Sequence, residues 1–228
     1  SDQSARSWPP FPPAGCMSVS TPFSGDVARK PADAAFLQQA LTAVGRTAHI
    51  LDVGCGEHCQ AARFFRDAGA LAVFSVDVNA TCARRAAAHT GQSSEVIVAD
   101  MEQLGLVVRS GVFDLVLLFY TLQHAREPIR TAQALAKLPV VGGSVAVAAL
   151  CDRPPCTENA SPGSTLPVPL RGCYRSFLQP GALGAALRSA GCPEQRSSER
   201  DFLYTEEGEF PCAREYVLAT KSSRKRRR

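Results

Sequence analysis

The sequence predicts a doubly wound α/β fold with a mostly parallel sheet of seven strands, of which the last two form an antiparallel hairpin. Two observations lead to this fold class. Strand-like apolar runs alternate with helical runs from residue 32 to residue 150, and this alternation is typical of parallel sheets covered by helices. The strand runs are also almost continuously apolar, as in residues 112–119, which is expected of strands buried on both faces.

The periodicity of apolar residues places the elements in a regular order. An opening helix is predicted over Ala32–Val44, and Gly45 ends it. Strands are expected at His49–Val53, Leu71–Val76, Glu95–Ala99, Phe113–Phe119 and Ser144–Leu150. Helices are expected between them at Cys59–Ala68, Ala80–His89 and Ile129–Leu138, with a weak turn near Glu102–Val107. A helix at Pro180–Ala190 and a hairpin of Arg196–Tyr204 with Arg214–Thr220 complete the pattern.

Three stretches depart from this pattern and divide the chain. A proline-rich arm, residues 1–31, precedes a domain of residues 32–220. The aromatic side chains of the arm either pack over the domain, for instance as a substrate cover, or contact a partner. Residues 151–173 form an irregular insertion rich in proline and cysteine.

The third stretch is a basic tail, residues 221–228, which carries six positive charges. The rest of the chain is slightly acidic, so an attraction to RNA or to an acidic protein surface resides in this tail. A plain solvated terminus and a nuclear-import or nucleic-acid role are both compatible with the sequence. We expect the whole tail to be mobile, because a run of like charges does not bury itself.

Composition narrows the class of protein. The 228 residues are 45% hydrophobic and 20% charged, which is ordinary for a globular protein. No apolar run approaches the ~20 residues of a membrane-spanning helix, so no membrane association is predicted. Nine cysteines without a Cys-x-x-Cys pair favour reduced thiols and an intracellular location. Cys55, His58 and Cys59 lack a second Cys/His pair at zinc spacing, so no metal site is predicted.

The most informative stretch is the junction of the first strand with the helix that follows it. There Asp52 precedes a tight turn containing Gly54, Cys55 and Gly56. Glycine permits a sharp bend and lets the backbone approach a ligand closely. A strand, a glycine-rich turn and a helix N-terminus present backbone N–H groups to a bound cofactor. We interpret this turn as the centre of a cofactor site.

Acidic residues follow the next two strands at matching positions. Asp77 ends the second strand and Asp100 ends the third. Ligands of open α/β sheets bind at this carboxyl edge. Asp77 lies 25 residues beyond Asp52, the separation expected of a carboxylate that accepts both hydroxyls of a ribose. Asp100 is placed to accept from an adenine amino group, with Met101 over the ring. Each aspartate alone is equally compatible with a helix cap.

These motifs resemble those of class I S-adenosylmethionine-dependent methyltransferases, in the small-domain group that includes the enzymes of ubiquinone and menaquinone biosynthesis. The resemblance covers residues 32–150 well and extends loosely to residue 220. It is carried by Leu51–Gly56, Val76–Asp77, Ala99–Leu104, Phe113–Val116 with Leu122–His124, and Leu138–Gly143. The resemblance implies a Rossmann-like methyltransferase fold, S-adenosylmethionine as cofactor and an unidentified methyl acceptor. A nicotinamide-binding domain fits less well, because Cys59 replaces the last glycine of Gly-x-Gly-x-x-Gly.

The same resemblance implies roles for particular residues. Gly54 and Gly56 would face the methionine part of the cofactor, Asp77 the ribose, and Asp100 with Met101 the adenine. The complete predicted cofactor site is Asp52, Gly54, Cys55, Gly56, Asp77, Val78, Asp100, Met101 and Tyr120. Two positions depart from the family pattern. His58 occupies the place of a third glycine, where a side chain narrows the site, and Pro139–Gly143 replaces the usual Arg/Lys-Pro-Gly-Gly loop.

Catalysis needs little from the protein if the acceptor carries a free lone pair, because the sulfonium donor is already activated. His124 is the predicted general base for an acceptor that must lose a proton, and Tyr120 and Gln123 are predicted to orient the acceptor. His124 is also compatible with a polar loop role. A different class of function fits the basic tail and His58: a catalytically silent methyltransferase fold that serves as an assembly subunit, for example of a ribonucleoprotein.

Overall fold

The computed structural model describes residues 31–56, 58–90, 96–152, 167–170, 173–176, 178–179, 181–205 and 208–223. The predicted N-terminal arm, apart from Pro31, and the last five residues of the predicted tail lie outside the described residues. Within the described part of the chain, no helix is long and apolar enough to cross a bilayer.

Helices and strands alternate from residue 31 to residue 152, as predicted. The helices are α1 (Pro31–Val44), α2 (Gln60–Asp67), α3 (Ala80–Thr90), α4 (Leu104–Val107), α5 (Pro128–Leu135) and α6 (Ala182–Ser189). The strands are β1 (His49–Val53), β2 (Ala72–Asp77), β3 (Val96–Val98), β4 (Phe113–Phe119), β5 (Pro139–Asp152), β6 (Pro167–Leu170), β7 (Cys173–Ser176), β8 (Glu194–Thr205) and β9 (Gly208–Thr220). Two 3-10 helices, Met101–Gln103 and Leu122–His124, follow β3 and β4.

Seven strands form one sheet in the order β3-β2-β1-β4-β5-β9-β8. The first five are parallel, while β9 pairs antiparallel with both β5 and β8. This confirms the predicted doubly wound, mostly parallel sheet with a C-terminal antiparallel hairpin. Because β1, β2, β3 and β4 are parallel, the residues that follow them meet at one edge, the carboxyl edge of the sheet.

Helices cover both faces of the sheet, so each face has its own apolar core. On one face α1 and α2 pack through Phe36, Leu37 and Phe65 against Ile50 and Leu115 of the central strands. On the other face α5 and α6 bury Leu135, Leu183 and Leu187 against alternate residues of the same strands. Burial on both sides explains why β4 is an unbroken apolar run apart from Asp114.

The segment after β5 differs from the prediction in part. Residues 151–173 were expected to be irregular, yet β5 extends to Asp152, and β6 lies inside the segment and pairs antiparallel with β7. This strand was not predicted because β6 contains two prolines, Pro167 and Pro169, and proline disfavours strand formation. A strand of a two-stranded ribbon has one unpaired side, where a missing N–H is tolerated.

The start of β5 also differs from the prediction. Pro139–Gly143 was expected to be a loop, but the structure places it at the beginning of the strand. Phe113 of β4 pairs with Pro139 of β5, and Leu115 pairs with Ser144. Two steps along β4 therefore correspond to five steps along β5, and the strand pairing shifts register at this point. Gly142 adopts a φ of 86° within this shift, a backbone conformation that favours glycine.

The tail begins later than predicted. Lys221 is attached to the domain, since its Nζ donates to the carbonyl oxygens of Lys137 and Pro139 at 2.7 and 2.6 Å. Its backbone also pairs with Gly142 and Gly143. The expectation that residues 221–228 are mobile as a whole is therefore wrong for Lys221. The Lys221 side chain therefore pairs with two carbonyl groups between the end of α5 and the start of β5.

Candidate functional site

The glycine turn joins β1 to α2 at the carboxyl edge of the sheet. The backbone N–H groups of Gly54 and Cys55 both donate to the carbonyl oxygen of Val76, at 2.7 and 3.0 Å, so the turn is attached to β2. Gly54 and Gly56 have φ values of 73° and 64°. These left-handed conformations explain why glycine occurs at both positions.

The loop after β4 packs directly on this turn. A Cβ atom added to Gly54 would lie 1.8 Å from Oγ1 of Thr121, whereas one added to Gly56 would meet no atom of the described residues within 4 Å. Gly54 is therefore needed for close packing between two parts of the protein as well as for its backbone conformation. Space remains beside Gly56 for a ligand.

Asp77 connects the end of β2 to the same turn. Its Oδ2 accepts from the backbone N–H of Gly56 at 2.9 Å, and its Oδ1 accepts from the N–H of Asn79 at 2.8 Å. Burial raises the pKa of Asp77, although the two backbone donors partly offset this effect. Each carboxylate oxygen accepts a second hydrogen bond, so Asp77 keeps capacity for ligand hydroxyls.

Asp52 lies at the bottom of the site and is 1% exposed. Burial, together with the nearby charge of Asp77, raises the pKa of Asp52 to about 7, and an N–H of Ala62 at the start of α2 partly offsets this. Among the described residues, Oδ2 of Asp52 has no hydrogen-bond partner. A buried acceptor without a donor is unfavourable, so this oxygen favours a ligand that brings a donor or a positive charge.

Gln123 provides a second acceptor of this kind. Its Nε2 donates to the carbonyl oxygen of Tyr120 at 2.9 Å. Its Oε1 is buried and has no partner among the residues that the structure describes. The loop after β4 and the end of β1 therefore each carry a buried oxygen that is short of a donor.

On the predicted adenine side of the site, Asp100 already accepts a hydrogen bond within the protein, whereas Val78 is exposed. Asp100 accepts from the N–H of Glu102 at 2.9 Å and caps the 3-10 helix after β3, which is the local role considered for it in the sequence. Met101 is half-buried and packs partly on the apolar core. Val78 is 67% exposed just after Asp77, an apolar side chain that a planar ring would cover.

The departure at His58 leaves the turn intact. The His58 side chain is exposed, and the bend after Gly56 is completed by Cys59, a buried residue with φ 44°. A hydrogen bond between the Cys55 and Cys59 side chains, together with burial, raises the pKa of the Cys55 thiol, so this thiol is neutral. No group of His, Cys, Asp or Glu in the described ranges is arranged to hold a metal ion.

The two predicted catalytic residues lie in different surroundings. His124 is exposed at the end of the 3-10 helix that follows β4. The hydroxyl of Tyr120 instead turns to the interior and donates to Oδ1 of Asp33 at 2.7 Å. Burial and the Asp33 charge raise the pKa of Tyr120, which makes it a poor base. Its backbone is left-handed, with φ 53°.

Sequence reasoning did not find three residues of this region. Asp33 appears in the sequence as an ordinary acidic residue in the first turn of a helix, and Tyr216 as a core residue of a strand. Thr121 has no distinguishing pattern. Only the fold brings Asp33 and Tyr216 next to Tyr120, from positions 87 and 96 residues away.

A comparison with known proteins matches part of the chain. Residues 51–147 match the sequence family described as a methyltransferase domain. The matched range begins within β1 and ends within β5, so it includes the glycine turn, Asp77 and the loop after β4. This part of the chain is therefore similar to a methyltransferase domain. No curated protein sequence matches the chain.

Several solved structures share this fold. A putative methyltransferase from Bacillus halodurans is 13% identical, with a TM-score of 0.61 over 84% of this chain and 100% of the other. A Burkholderia thailandensis 1,6-didemethyltoxoflavin-N1-methyltransferase, solved with S-adenosylhomocysteine, is 16% identical, with a TM-score of 0.59 over 87% and 82%. The [4+2]-cyclase SpnF is 16% identical, with a TM-score of 0.60 over 84% and 82%. At these identities the likeness establishes the fold.

Proposed function

We propose that the protein transfers a methyl group from S-adenosylmethionine to an acceptor bound at the carboxyl edge of the sheet. One observation carries the proposal: the left-handed glycine turn of a methyltransferase domain is joined to Asp77 by the hydrogen bond from Gly56. Backbone N–H groups, a carboxylate and open space beside Gly56 are thereby brought together where ligands of α/β folds bind.

The residues present fit this cofactor. S-adenosylmethionine carries an ammonium group, which is a donor of the kind that Oδ2 of Asp52 and Oε1 of Gln123 lack among the described residues. Asp77 retains lone pairs for the ribose hydroxyls, and the exposed Val78 offers apolar surface to adenine. Asp52, Gln123, the turn of residues 54–56, Asp77 and Val78 would hold the cofactor.

The bound cofactor supplies an activated methyl group, so the protein needs mainly to align the acceptor and exclude water. Thr121 and Gln123 follow β4, and the Thr121 side chain packs on the glycine turn, so this loop would align the acceptor with the methyl group. We assign Tyr120 to positioning, because its hydroxyl already donates to Asp33. Alignment of this kind contributes several kcal/mol to lowering a barrier.

His124 is the proposed base for an acceptor that must lose a proton. It is exposed at the same edge, so it is accessible to a substrate. With an acceptor in hand, His124→Gln is expected to lower the rate about 100-fold and to remove one ionisation from the pH–rate profile. An unchanged rate and profile would leave alignment as the whole catalytic contribution of the protein.

Calorimetric titration with S-adenosylhomocysteine, the demethylated product, tests the proposal. We expect the unaltered chain to bind it, and Asp77→Asn to weaken binding by about 10- to 100-fold, because a charge-assisted acceptor is lost. The matched control is Asp114→Asn, since Asp114 lies near the start of β4, away from the carboxyl edge, where its carboxylate contacts the backbone N–H and the side chain of His49. Absence of binding by the unaltered chain at millimolar ligand rules out the proposal.

A second candidate function is an assembly subunit whose methyltransferase fold is catalytically silent. The concentration of basic residues at 224–228 favours it, and the SpnF cyclase shows that this fold also serves proteins named for other activities. Cofactor binding together with loss of RNA affinity on deletion of residues 224–228 would support a methyltransferase that acts on or near RNA. RNA affinity without cofactor binding would support the assembly subunit.

A further inference from the structure

A buried cluster of one carboxylate and two phenols lies behind the cofactor turn. Oδ1 of Asp33 accepts from the hydroxyls of Tyr120 and Tyr216, at 2.7 and 2.8 Å, and the two hydroxyls are 3.2 Å apart. Asp33 is 3% exposed. Hydrogen bonds to a buried carboxylate are stronger than those between neutral groups, so this cluster holds its three members in one arrangement.

The cluster joins three separate elements. Asp33 is in the first turn of α1, Tyr120 directly follows β4, and Tyr216 belongs to β9. The ring of Tyr216 also contacts Phe36 of α1, with ring centroids 5.1 Å apart, and Arg214 hydrogen-bonds its hydroxyl. The position of α1 is thereby fixed relative to the loop that follows β4.

Tyr120 is held in a conformation that an aromatic residue rarely adopts. Its backbone is left-handed, with φ 53°, a conformation that brings the Cβ close to the following carbonyl oxygen and is strained for any residue other than glycine. Three hydrogen bonds hold it there. Its hydroxyl donates to Asp33, its N–H donates to the carbonyl oxygen of Ala148 at 2.8 Å, and its carbonyl oxygen accepts from Nε2 of Gln123. Strain retained by surrounding contacts is typical of functional sites.

The strained residue sets the position of its neighbour at the cofactor turn. Thr121 immediately follows Tyr120, and its side chain occupies the space that a Cβ of Gly54 would take. A change in the backbone of Tyr120 therefore moves Thr121 relative to Gly54. It also moves Gln123, whose amide is bonded to the carbonyl of Tyr120.

We propose that Asp33 is a positioning residue of the methyltransferase site, which acts through the hydroxyl of Tyr120 to hold Thr121 and Gln123 against the cofactor turn. This inference rests on the proposed function. It extends the site to helix α1, which the family match of residues 51–147 does not include. A cluster that served stability alone would not need a left-handed Tyr120 directly before Thr121, the residue that packs on Gly54.

A double-mutant cycle tests the proposal. The variants are Asp33→Asn, Tyr120→Phe and the two combined, with the dissociation constant of S-adenosylhomocysteine measured by calorimetry and Tm measured alongside. We expect each single change to weaken binding about tenfold. The double variant is expected to bind S-adenosylhomocysteine as tightly as the single variant with the lower affinity, because both changes break the same hydrogen bond between Tyr120 and Asp33.

Two matched variants separate positioning from stability. Leu41→Ala removes a buried side chain of α1 that is distant from Asp33 along the helix, so it lowers Tm without changing the dissociation constant at a temperature well below Tm. Tyr216→Phe leaves the bond between Tyr120 and Asp33 in place, so it weakens binding less than Tyr120→Phe. The second comparison does not depend on folding of the Asp33 variant.

The outcomes distinguish this inference from the proposed function. Non-additive losses of affinity that exceed the effect of Leu41→Ala support a positioning role. Additive losses of affinity, or losses of affinity that only follow the fall in Tm, overturn the positioning role of Asp33. In that case the proposed function still stands if the unaltered chain binds the cofactor product. If the unaltered chain does not bind S-adenosylhomocysteine, both are overturned.

Discussion

At the scale of single residues, Asp52 shows how a binding site is maintained at a cost to stability. Its carboxyl group is buried, lacks a donor for Oδ2 among the described residues and has a pKa raised from 3.8 to about 7. When folding raises the pKa of a carboxyl group, protonation of that group favours the folded state. This contribution to stability is fully present at a pH below the pKa of the unfolded chain, and it is lost as the pH rises through the pKa of the folded state, here about 7. Ionised Asp52 therefore destabilises the protein at neutral and alkaline pH.

Asp52→Asn is expected to raise Tm at pH 8 relative to the unaltered chain. The shift of roughly three pKa units corresponds to a few kcal/mol, at about 1.4 kcal/mol per unit. The advantage of the variant should shrink as the pH falls from 7 toward 4, where Asp52 is protonated in the folded state. Thermal unfolding at pH 5 and pH 8 measures it, and a difference in Tm that does not change with pH would contradict the assignment.

At the scale of elements, the glycine turn and the loop after β4 form one unit. Gly54→Ala places a Cβ on Thr121 and also requires a left-handed alanine, whereas Gly56→Ala requires only the left-handed conformation. We expect Gly54→Ala to lower Tm clearly more than Gly56→Ala, for which the strain is about 1–2 kcal/mol.

A second substitution checks the cause of the Gly54 effect. Thr121→Gly removes both the hydroxyl and the Cβ, which would lie 1.8 and 2.6 Å from the added atom, so it should partly restore the Tm of Gly54→Ala. Thr121→Ala keeps the Cβ and should restore much less. Equal Tm values for Gly54→Ala and Gly56→Ala would show that Thr121 does not pack closely on the turn.

The elements of this fold were predictable to different degrees. β1 and β4 have the predicted limits, since an apolar run between turn residues marks a buried strand at both ends. β6 was missed because its alternate prolines oppose strand formation except at an edge. The sequence also revealed the acidic residues at the strand ends, because their spacing is local. It did not reveal the partnership of Asp33 with Tyr120 and Tyr216, which arises only from tertiary packing.

At the scale of the whole molecule, the net positive charge of the chain comes from the last residues of the sequence. Lys221 is anchored by two carbonyl groups of the α5–β5 connection, whereas five further residues, 224–228, carry five positive charges beyond it. We expect deletion of residues 224–228 to leave Tm unchanged and to weaken RNA binding, with a smaller dependence of RNA affinity on salt.

Lys221→Ala is the contrasting change for the tail. It removes the donor for two carbonyl groups and should lower Tm by an amount corresponding to about 1–2 kcal/mol, with little effect on RNA binding. Thermal unfolding and RNA titration on both variants separate the two roles. A lowered Tm after deletion of residues 224–228 would contradict the claim that Lys221 contributes to stability while residues 224–228 contribute only to RNA binding.

The central claim is that the turn of residues 54–56 forms the cofactor site. Nuclear magnetic resonance of chain labelled with ¹⁵N-glycine tests it most directly, because Gly54 and Gly56 lie in the turn while Gly142 and Gly143 lie at the opposite edge of the sheet. Addition of S-adenosylhomocysteine is predicted to shift the amide signals of Gly54 and Gly56 and to leave those of Gly142 and Gly143 in place. Unchanged signals from Gly54 and Gly56 at saturating ligand would contradict the account.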